Sequence, residues 1–407
     1  MYTLWVVDSM AVKRRERIIG GYPGRMLILL TAAYVLMNVA RYIVPAMLPE
    51  VRANLDLTRT EAGIALSVLS AAYGISQYPG GRYSDSWTRT TVIVPSILII
   101  CLGCLFLGGA TSFFLLLAGS TIFGIGLGLF SIPARAFLSD QFIETRGRAL
   151  GVFTVGHDLG GGLAPGLAIV ALAVGTWRTP FFPLLVLLAG IAVIVALTTR
   201  EAFVINRTSL EIGDTTRRLV ATPYQRALMI SFTFFFFTIN GVLYFLPAFL
   251  RESKGFSLEW AGATYAFLFF LGLFFKPLVG DLSDRFPRRG IAIVGLLVSG
   301  IALWCLLLVE SLVGVLVIIV LFSIGYQGMF PVLDALLMDG APDSNMGGDL
   351  GAARTVFQVV GSASPTFVGF MADQHNYAVG FAVLGLCVIV AAAVLLVRKP
   401  PSSAPAG

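Results

Sequence analysis

One string occurs twice in this chain, and the spacing between its copies limits what the chain can fold into. Gly81-Arg-Tyr-Ser-Asp85-Ser-Trp-Thr-Arg89 returns 199 residues later as Gly280-Asp-Leu-Ser-Asp284-Arg-Phe-Pro-Arg288. Ala62-Gly63 matches Ala261-Gly262, and Phe123-Gly-Ile-Gly126 matches Phe322-Ser-Ile-Gly325, both at the same offset. Asn38 and Pro45-Ala46 pair with Asn240 and Pro247-Ala248 at 202, and Gly151 and Pro165 pair with Gly351 and Pro365 at 200. Two halves with so few gaps between them must be built alike.

What the halves are built of follows from hydropathy. Of 407 residues, 57% are hydrophobic and 12% charged, against about 25% charged in soluble domains. Apolar windows of membrane-spanning length lie near 26–48, 60–81, 91–110, 113–138, 149–174 and 180–198, then near 226–250, 260–279, 291–309, 312–338, 350–372 and 376–397. Backbone groups in hydrocarbon must bond within their own segment, and continuous runs of this length do so as helices, not as barrel strands. The expectation is an all-α integral membrane protein of about twelve transmembrane helices in two pseudo-symmetric six-helix halves. The halves are 26–198 and 226–397, joined by a central loop at 199–225, with an N-terminal segment at 1–25 and a tail at 398–407.

Lys and Arg fix the orientation. They crowd the N-terminal segment (Lys13, Arg14, Arg15, Arg17, Arg25), the loops carrying Arg82 and Arg89, Arg146 and Arg148, and Arg285, Arg288 and Arg289, the central loop, and the tail. Both termini are therefore expected on the cytoplasmic side of the cell membrane. The net charge of +6 reflects that bias and anionic lipid headgroups, not nucleic acid. Span one directly follows the basic stretch, as an uncleaved anchor would. Cys101 and Cys104 sit in an apolar run and are expected to pack as small hydrophobes.

A lone G-x-x-x-D-x-x-x-R string carries little. Two copies, each between the second and third span of a half, resemble the signature loop of the major facilitator superfamily, and the resemblance extends from about Arg25 to Val397. The second copy is the fuller, with Arg285, Arg288 and Arg289; in the first, Ser86, Thr88 and Thr90 replace the usual residues. Ser120 stands where many proton-coupled members carry Arg, and Gly156 to Gly166 only loosely matches the span-five motif of antiporters. The resemblance implies a secondary transporter working by alternating access, with spans one, four, seven and ten around a central cavity. In the loops, Gly81 and Gly280 are expected to end helices at a close backbone approach, with Asp85, Arg89, Asp284, Arg285, Arg288 and Arg289 holding the gating loops.

Ionisable residues inside spans are costly and need a reason. Arg41 lies about 22 Å into span one at 1.5 Å per residue, and a guanidinium there can grip an anion bidentately. This stretch is similar to the organic-anion symporter branch of the superfamily. Leu243 occupies the repeat-equivalent site in span seven, which disfavours a doubly charged phosphate substrate. Asp158 and His157 in span five are candidates for carrying a proton; a fixed Arg41–Asp158 pair is the alternative. Asn38, Tyr42, Asn240, Tyr244 and Gln358 are the uncharged candidates for substrate contact. Arg135 and Asp334 are repeat equivalents at cytoplasmic helix ends and are expected either to meet as a charge gate or each to snorkel to the interface, whereas Lys276 and Arg354 read as interfacial anchors.

The substrate expected is a small organic monoanion moved with H+ by a monomer; the alternative is an exporter of amphipathic drug-like compounds through a Phe-rich cavity. An enzyme is disfavoured for want of a catalytic cluster. No cofactor or metal site is expected, and no phosphate-binding loop for ATP occurs.

Overall fold

The structure, a computed structural model, describes residues 20–199, 217, 219–338 and 346–398. Most of the basic N-terminal segment, most of the central loop, Asp339, Asp343 and the tail beyond Arg398 lie outside the described residues, as do the side chains of Asp85 and Asp349.

The first half comprises α1 (Gly21–Ala46), the short α2 (Leu48–Leu55), α3 (Arg59–Ser86), α4 (Arg89–Gly108), α5 (Phe113–Gln141), α6 (Arg146–Val174) and α7 (Phe181–Thr198). The second comprises α8 (Pro223–Glu252), α9 (Leu258–Arg285), α10 (Arg288–Leu308), α11 (Leu312–Met338), α12 (Met346–Gly361), α13 (Ser364–Gln374) and α14 (Tyr377–Val397). Among the described residues, eleven helical segments are long and apolar enough to cross a membrane, α12 and α13 counting as one span from Gly351 to Gln374. The twelfth of the series is α3, whose buried Ser67, Ser70, Ser76 and Gln77 dilute its hydropathy. Large apolar side chains such as Phe114, Leu197 and Leu308 are exposed on the bundle's outside, where lipid would cover them.

Local sequence sets the helix starts in register between the halves. Thr58 caps α3 and Ser257 caps α9, 199 residues apart, each side chain accepting from a backbone N–H of the first turn. Ser112 and Ser311 cap α5 and α11 at the same offset. The packing repeats likewise: α3 and α4 lie on α5 and α1 on α6, as α9 and α10 lie on α11 and α8 on α12. The halves then meet along two seams, α6 against α9 and α3 against α12 and α13.

The glycine expectation needs correcting. α3 and α9 run past Gly81 and Gly280 to Ser86 and Arg285; a Cβ on Gly81 would come within 3.2 Å of the Ile132 side chain and one on Gly280 no nearer than 3.7 Å to Pro331, so neither meets a neighbouring backbone. The close approaches lie elsewhere: a Cβ on Gly124 or Gly128 of α5 would overlap the carbonyl oxygens of Leu69 and Tyr73 on α3. Helices this close gain van der Waals contact that lipid cannot replace.

Candidate functional site

A cavity of about 730 Å³ opens between the halves at the end that carries Gly147 and Gly151 at the start of α6, Asp334 near the end of α11 and Arg354 on α12. It reaches Arg41, Tyr42 and Leu243 on α1 and α8. The arginine-rich loops flank the open end. There Arg89 reaches Asp140 at 3.2 Å, Arg285 pairs with Asp281 and Arg288 with Asp284, and Arg289 donates to the Leu395 and Leu396 carbonyls that end α14.

The opposite end is shut by ion pairs between halves. Arg52 of α2 and Arg59 of α3 both bind Glu252 at the end of α8, at 2.7 and 2.8 Å. Arg251 binds Glu50 at 2.6 Å. Asp373 of α13 accepts from the Arg59 and Thr60 backbone N–H groups at the start of α3. Glu50 and Glu252 are repeat equivalents at the span-one offset of 202, and each takes arginine from the other half.

Arg41 sits at the cavity's closed end, 20 residues into α1, since that helix begins before the apolar run does. It is 7% exposed. Its Nε and Nη2 donate to the Tyr244 hydroxyl at 3.0 and 2.8 Å. The Tyr42, Tyr73 and Tyr244 rings surround the guanidinium at 5.3, 4.9 and 5.7 Å. Aromatic faces stabilise a cation without neutralising it. Among the described residues no carboxylate pairs with Arg41, so the Arg41–Asp158 pair does not form.

Asp158 belongs instead to Lys276, whose Nζ donates to both carboxylate oxygens at 2.7 and 2.6 Å across the α6–α9 seam. Lys276 is thus no interfacial anchor: α9 runs nine residues beyond it, and the side chain turns into the cavity. His157 Nδ1 lies 3.1 Å from Asp158, and its Nε2 lies 3.0 Å from the Tyr42 hydroxyl. A continuous polar chain therefore runs Tyr42–His157–Asp158–Lys276, through three helices of both halves.

At the depth of the cavity the other seam is held by uncharged side chains. Gln358 donates to Ser70 at 2.6 Å and to Asn240 at 3.3 Å, and Ser70 donates to Asn240 at 2.9 Å. Gln358 is the repeat equivalent of Asp158, and Gln77 that of Lys276; all four line the cavity. This correspondence was available as a sequence signal for Lys276.

Asn240, Gln358, Tyr42, His157 and Asp158 reach the cavity wall. Tyr244 stands behind Arg41 as its hydrogen-bond acceptor. Asn38 does not line the cavity: it is fully buried, its Nδ2 donates to the Tyr34 carbonyl, and it packs on α6 at Gly160. The expected Arg135–Asp334 pair is also absent. Asp334 is held bidentately within its own half by Arg354, with Nε at 3.1 Å, while Arg135 faces the cavity near Tyr34. Cys101 and Cys104 are buried and apolar in setting.

The family model described as Major Facilitator Superfamily matches residues 30–365 and 269–407. A probable sulfoacetate transporter of Cupriavidus necator is 24% identical, covering 96% of this chain and 95% of its own. A hexuronate transporter of Bacillus subtilis is 24% identical over 88% and 90%. Among solved structures, a bacterial homologue of the human lysosomal transporter Spinster, in an inward-facing and occupied conformation, superposes with a TM-score of 0.80 at 20% identity, covering 94% of this chain and all of that one.

Proposed function

This chain belongs to the Major Facilitator Superfamily, and we propose that it is a secondary active transporter that moves a small organic anion together with H+ by alternating access. It is an integral membrane transporter of a small molecule, not an enzyme. One observation carries the substrate class. Arg41 is buried at the closed end of the cavity, wrapped by three tyrosines, and lacks a carboxylate partner among the described residues. A desolvated guanidinium in that setting is a site for a carboxylate or sulfonate, held through the fork geometry that an ammonium cannot supply. Relatives named for sulfoacetate and hexuronate carry substrates of this chemistry, which supports the reading.

The proton is assigned to the Asp158–His157 pair. Protonating Asp158 removes the charge that holds Lys276 across the α6–α9 seam, and the halves can then rock. In the orientation set by the basic loops, the cavity opens to the cytoplasm of the cell, both termini lie there, and the latch around Glu252 faces outside.

Thermal-shift titration of purified protein with carboxylates, sulfonates and drug-like amines tests this. An anion at 100 times its Kd should stabilise wild type by about 2.7 kcal/mol. Arg41→Ala should abolish the shift, and Arg41→Lys should weaken binding at least about tenfold, ~1.4 kcal/mol. In proteoliposomes, uptake of that anion should rise when the side it starts from is made acid. Binding of amines that survives Arg41→Ala would instead identify a drug exporter.

A further inference from the structure

The cavity wall carries more cations than its carboxylates can match. Arg41, Arg135, Lys276 and Arg354 line it, against Asp158 and Asp334. Both carboxylates are taken: Asp158 by Lys276 and Asp334 by Arg354. Two guanidinium groups are left over, and both belong to the first half. Arg41 occupies the closed end. Arg135, on the last third of α5, has a buried Nε without a hydrogen-bond partner; its side chain is hydrogen-bonded to Tyr34, and Asp334, already held by Arg354, acts on it only at longer electrostatic range.

The two lie along one wall. Tyr34 is seven residues before Arg41 on α1, two turns or about 10 Å closer to the open end. It lines the cavity, and its ring is fixed by stacking on Phe153 and Phe130 at 4.6 and 6.3 Å. Arg135 lies beside the Tyr34 hydroxyl, and Tyr73, whose ring packs on Arg41, is also within electrostatic reach of it. Aromatic rings thus line the wall between two cations. One monoanion at Arg41 would leave Arg135 sharing Asp334 with Arg354, and a charge without a close counter-ion in a partly desolvated cavity is unfavourable.

We propose that the substrate carries two acidic groups, one bound by Arg41 and the other by Arg135, so that Arg135 sets a preference for dianions over monoanions. This rests on the organic-anion reading above and narrows it to a two-headed acid, in place of the monoanion expected from the sequence. It also gives Arg135 a role other than the charge gate. The site differs from a clamp made by equivalent positions of the two halves: both arginines are in the first half, and the ligand lies lengthwise along the cavity from its closed end toward its mouth. Separated arginines require separated acids, so binding should pass through an optimum as the ligand's chain is lengthened.

The test is equilibrium binding to the full-length protein of α,ω-dicarboxylates of increasing chain length and of monocarboxylates of matched length. It is run on wild type, Arg135→Gln, Arg135→Lys and Arg41→Lys, with gel filtration and melting of the unliganded variants as folding controls. Wild type should bind the best dicarboxylate at least about tenfold more tightly than its monocarboxylate. Arg135→Gln should erase that ratio while leaving monocarboxylate affinity within about twofold, Arg135→Lys should restore part of it, and Arg41→Lys should weaken both ligand classes. Inorganic sulfate added with a monocarboxylate tests whether a free ion fills the second position. If sulfate raises monocarboxylate affinity in wild type but not in Arg135→Gln, and dicarboxylates have no advantage, the two-headed substrate is wrong. Unchanged binding ratios in Arg135→Gln, with transport of every substrate slowed alike, would return Arg135 to gating and overturn the proposal. If wild type binds monocarboxylates and dicarboxylates equally, this proposal alone falls. If it binds no organic anion, the substrate class falls with it.

Discussion

Asp158 is 1% exposed, and a carboxylate so placed keeps its charge only beside a cation. Lys276 supplies it at 2.6 Å. Removing one partner of a buried ion pair typically costs about 3–5 kcal/mol, because the other charge is stranded, whereas replacing both can be nearly neutral. Lys276→Met should therefore lower the melting temperature markedly. The double variant Asp158→Asn with Lys276→Met should recover most of that loss, yet it should fail to accumulate substrate under an imposed proton gradient. If the double variant still concentrates substrate against its gradient when driven by protons, this pair is not the coupling site. Asp158 could be picked out of the sequence because an acid inside an apolar run is conspicuous. Lys276 reads from the sequence as an interfacial anchor because the apolar run stops near 279, whereas the helix continues to Arg285 and so carries the lysine deeper than hydropathy implies.

At the scale of helices, α5 holds the site through α3. Gly128 faces the Tyr73 carbonyl and Ser76, and the Tyr73 ring lies 4.9 Å from the Arg41 guanidinium. Gly128→Ala would put a methyl against the Tyr73 carbonyl oxygen and 2.8 Å from the Ser76 Cβ, so the helices must part. Overpacking of this kind costs about 1–3 kcal/mol, and the displaced Tyr73 should also weaken anion binding. Gly166 on α6 is the control: a Cβ there meets nothing within 4 Å, so Gly166→Ala should change the melting temperature little and leave the affinity untouched. Equal effects of the two substitutions in thermal melts and ligand titration would show that the α3–α5 contact does not position the site. Span placement was legible because apolar length is written in the chain. Glycine roles were not, because which glycine meets a neighbouring backbone depends on how two helices cross.

For the molecule as a whole, the charged contacts that join the halves, Asp158–Lys276 in the cavity apart, gather among the described residues at the end opposite the cavity mouth. Glu252 receives Arg52 and Arg59, and Glu50 receives Arg251. Exposed pairs contribute about 0.2–1 kcal/mol each, so releasing two at once should shift the balance between inward-open and outward-open states by a few-fold. Glu252→Gln is expected to raise the outward-open population, read as a longer distance between spin labels placed across the latch, and as faster alkylation of a cysteine introduced below it. An unchanged distance distribution would mean that the latch does not set the resting state. At the depth of the cavity the seams are unequal: Asp158–Lys276 joins α6 to α9, while the repeat equivalents of that pair are the uncharged Gln358 and Gln77. In the proposed cycle, a proton acts on one side of the pseudo-two-fold axis only.

The residue order alone determined the membrane spans, the duplication and the presence of an arginine deep in the first span, though not the short α2 or the break between α12 and α13. Those follow from the length of apolar runs, the cost of unpaired backbone in hydrocarbon and the repeat spacing, all local or periodic properties. Which charge meets which was decided only by tertiary packing. Asp158 took Lys276 in place of Arg41, Asp334 took Arg354 in place of Arg135, and the charged latch formed at Glu50 and Glu252, at the other end of the bundle from where a gate was expected. Coulomb partners are set by a few ångströms between helices distant in sequence, and spacing along a chain does not encode those distances.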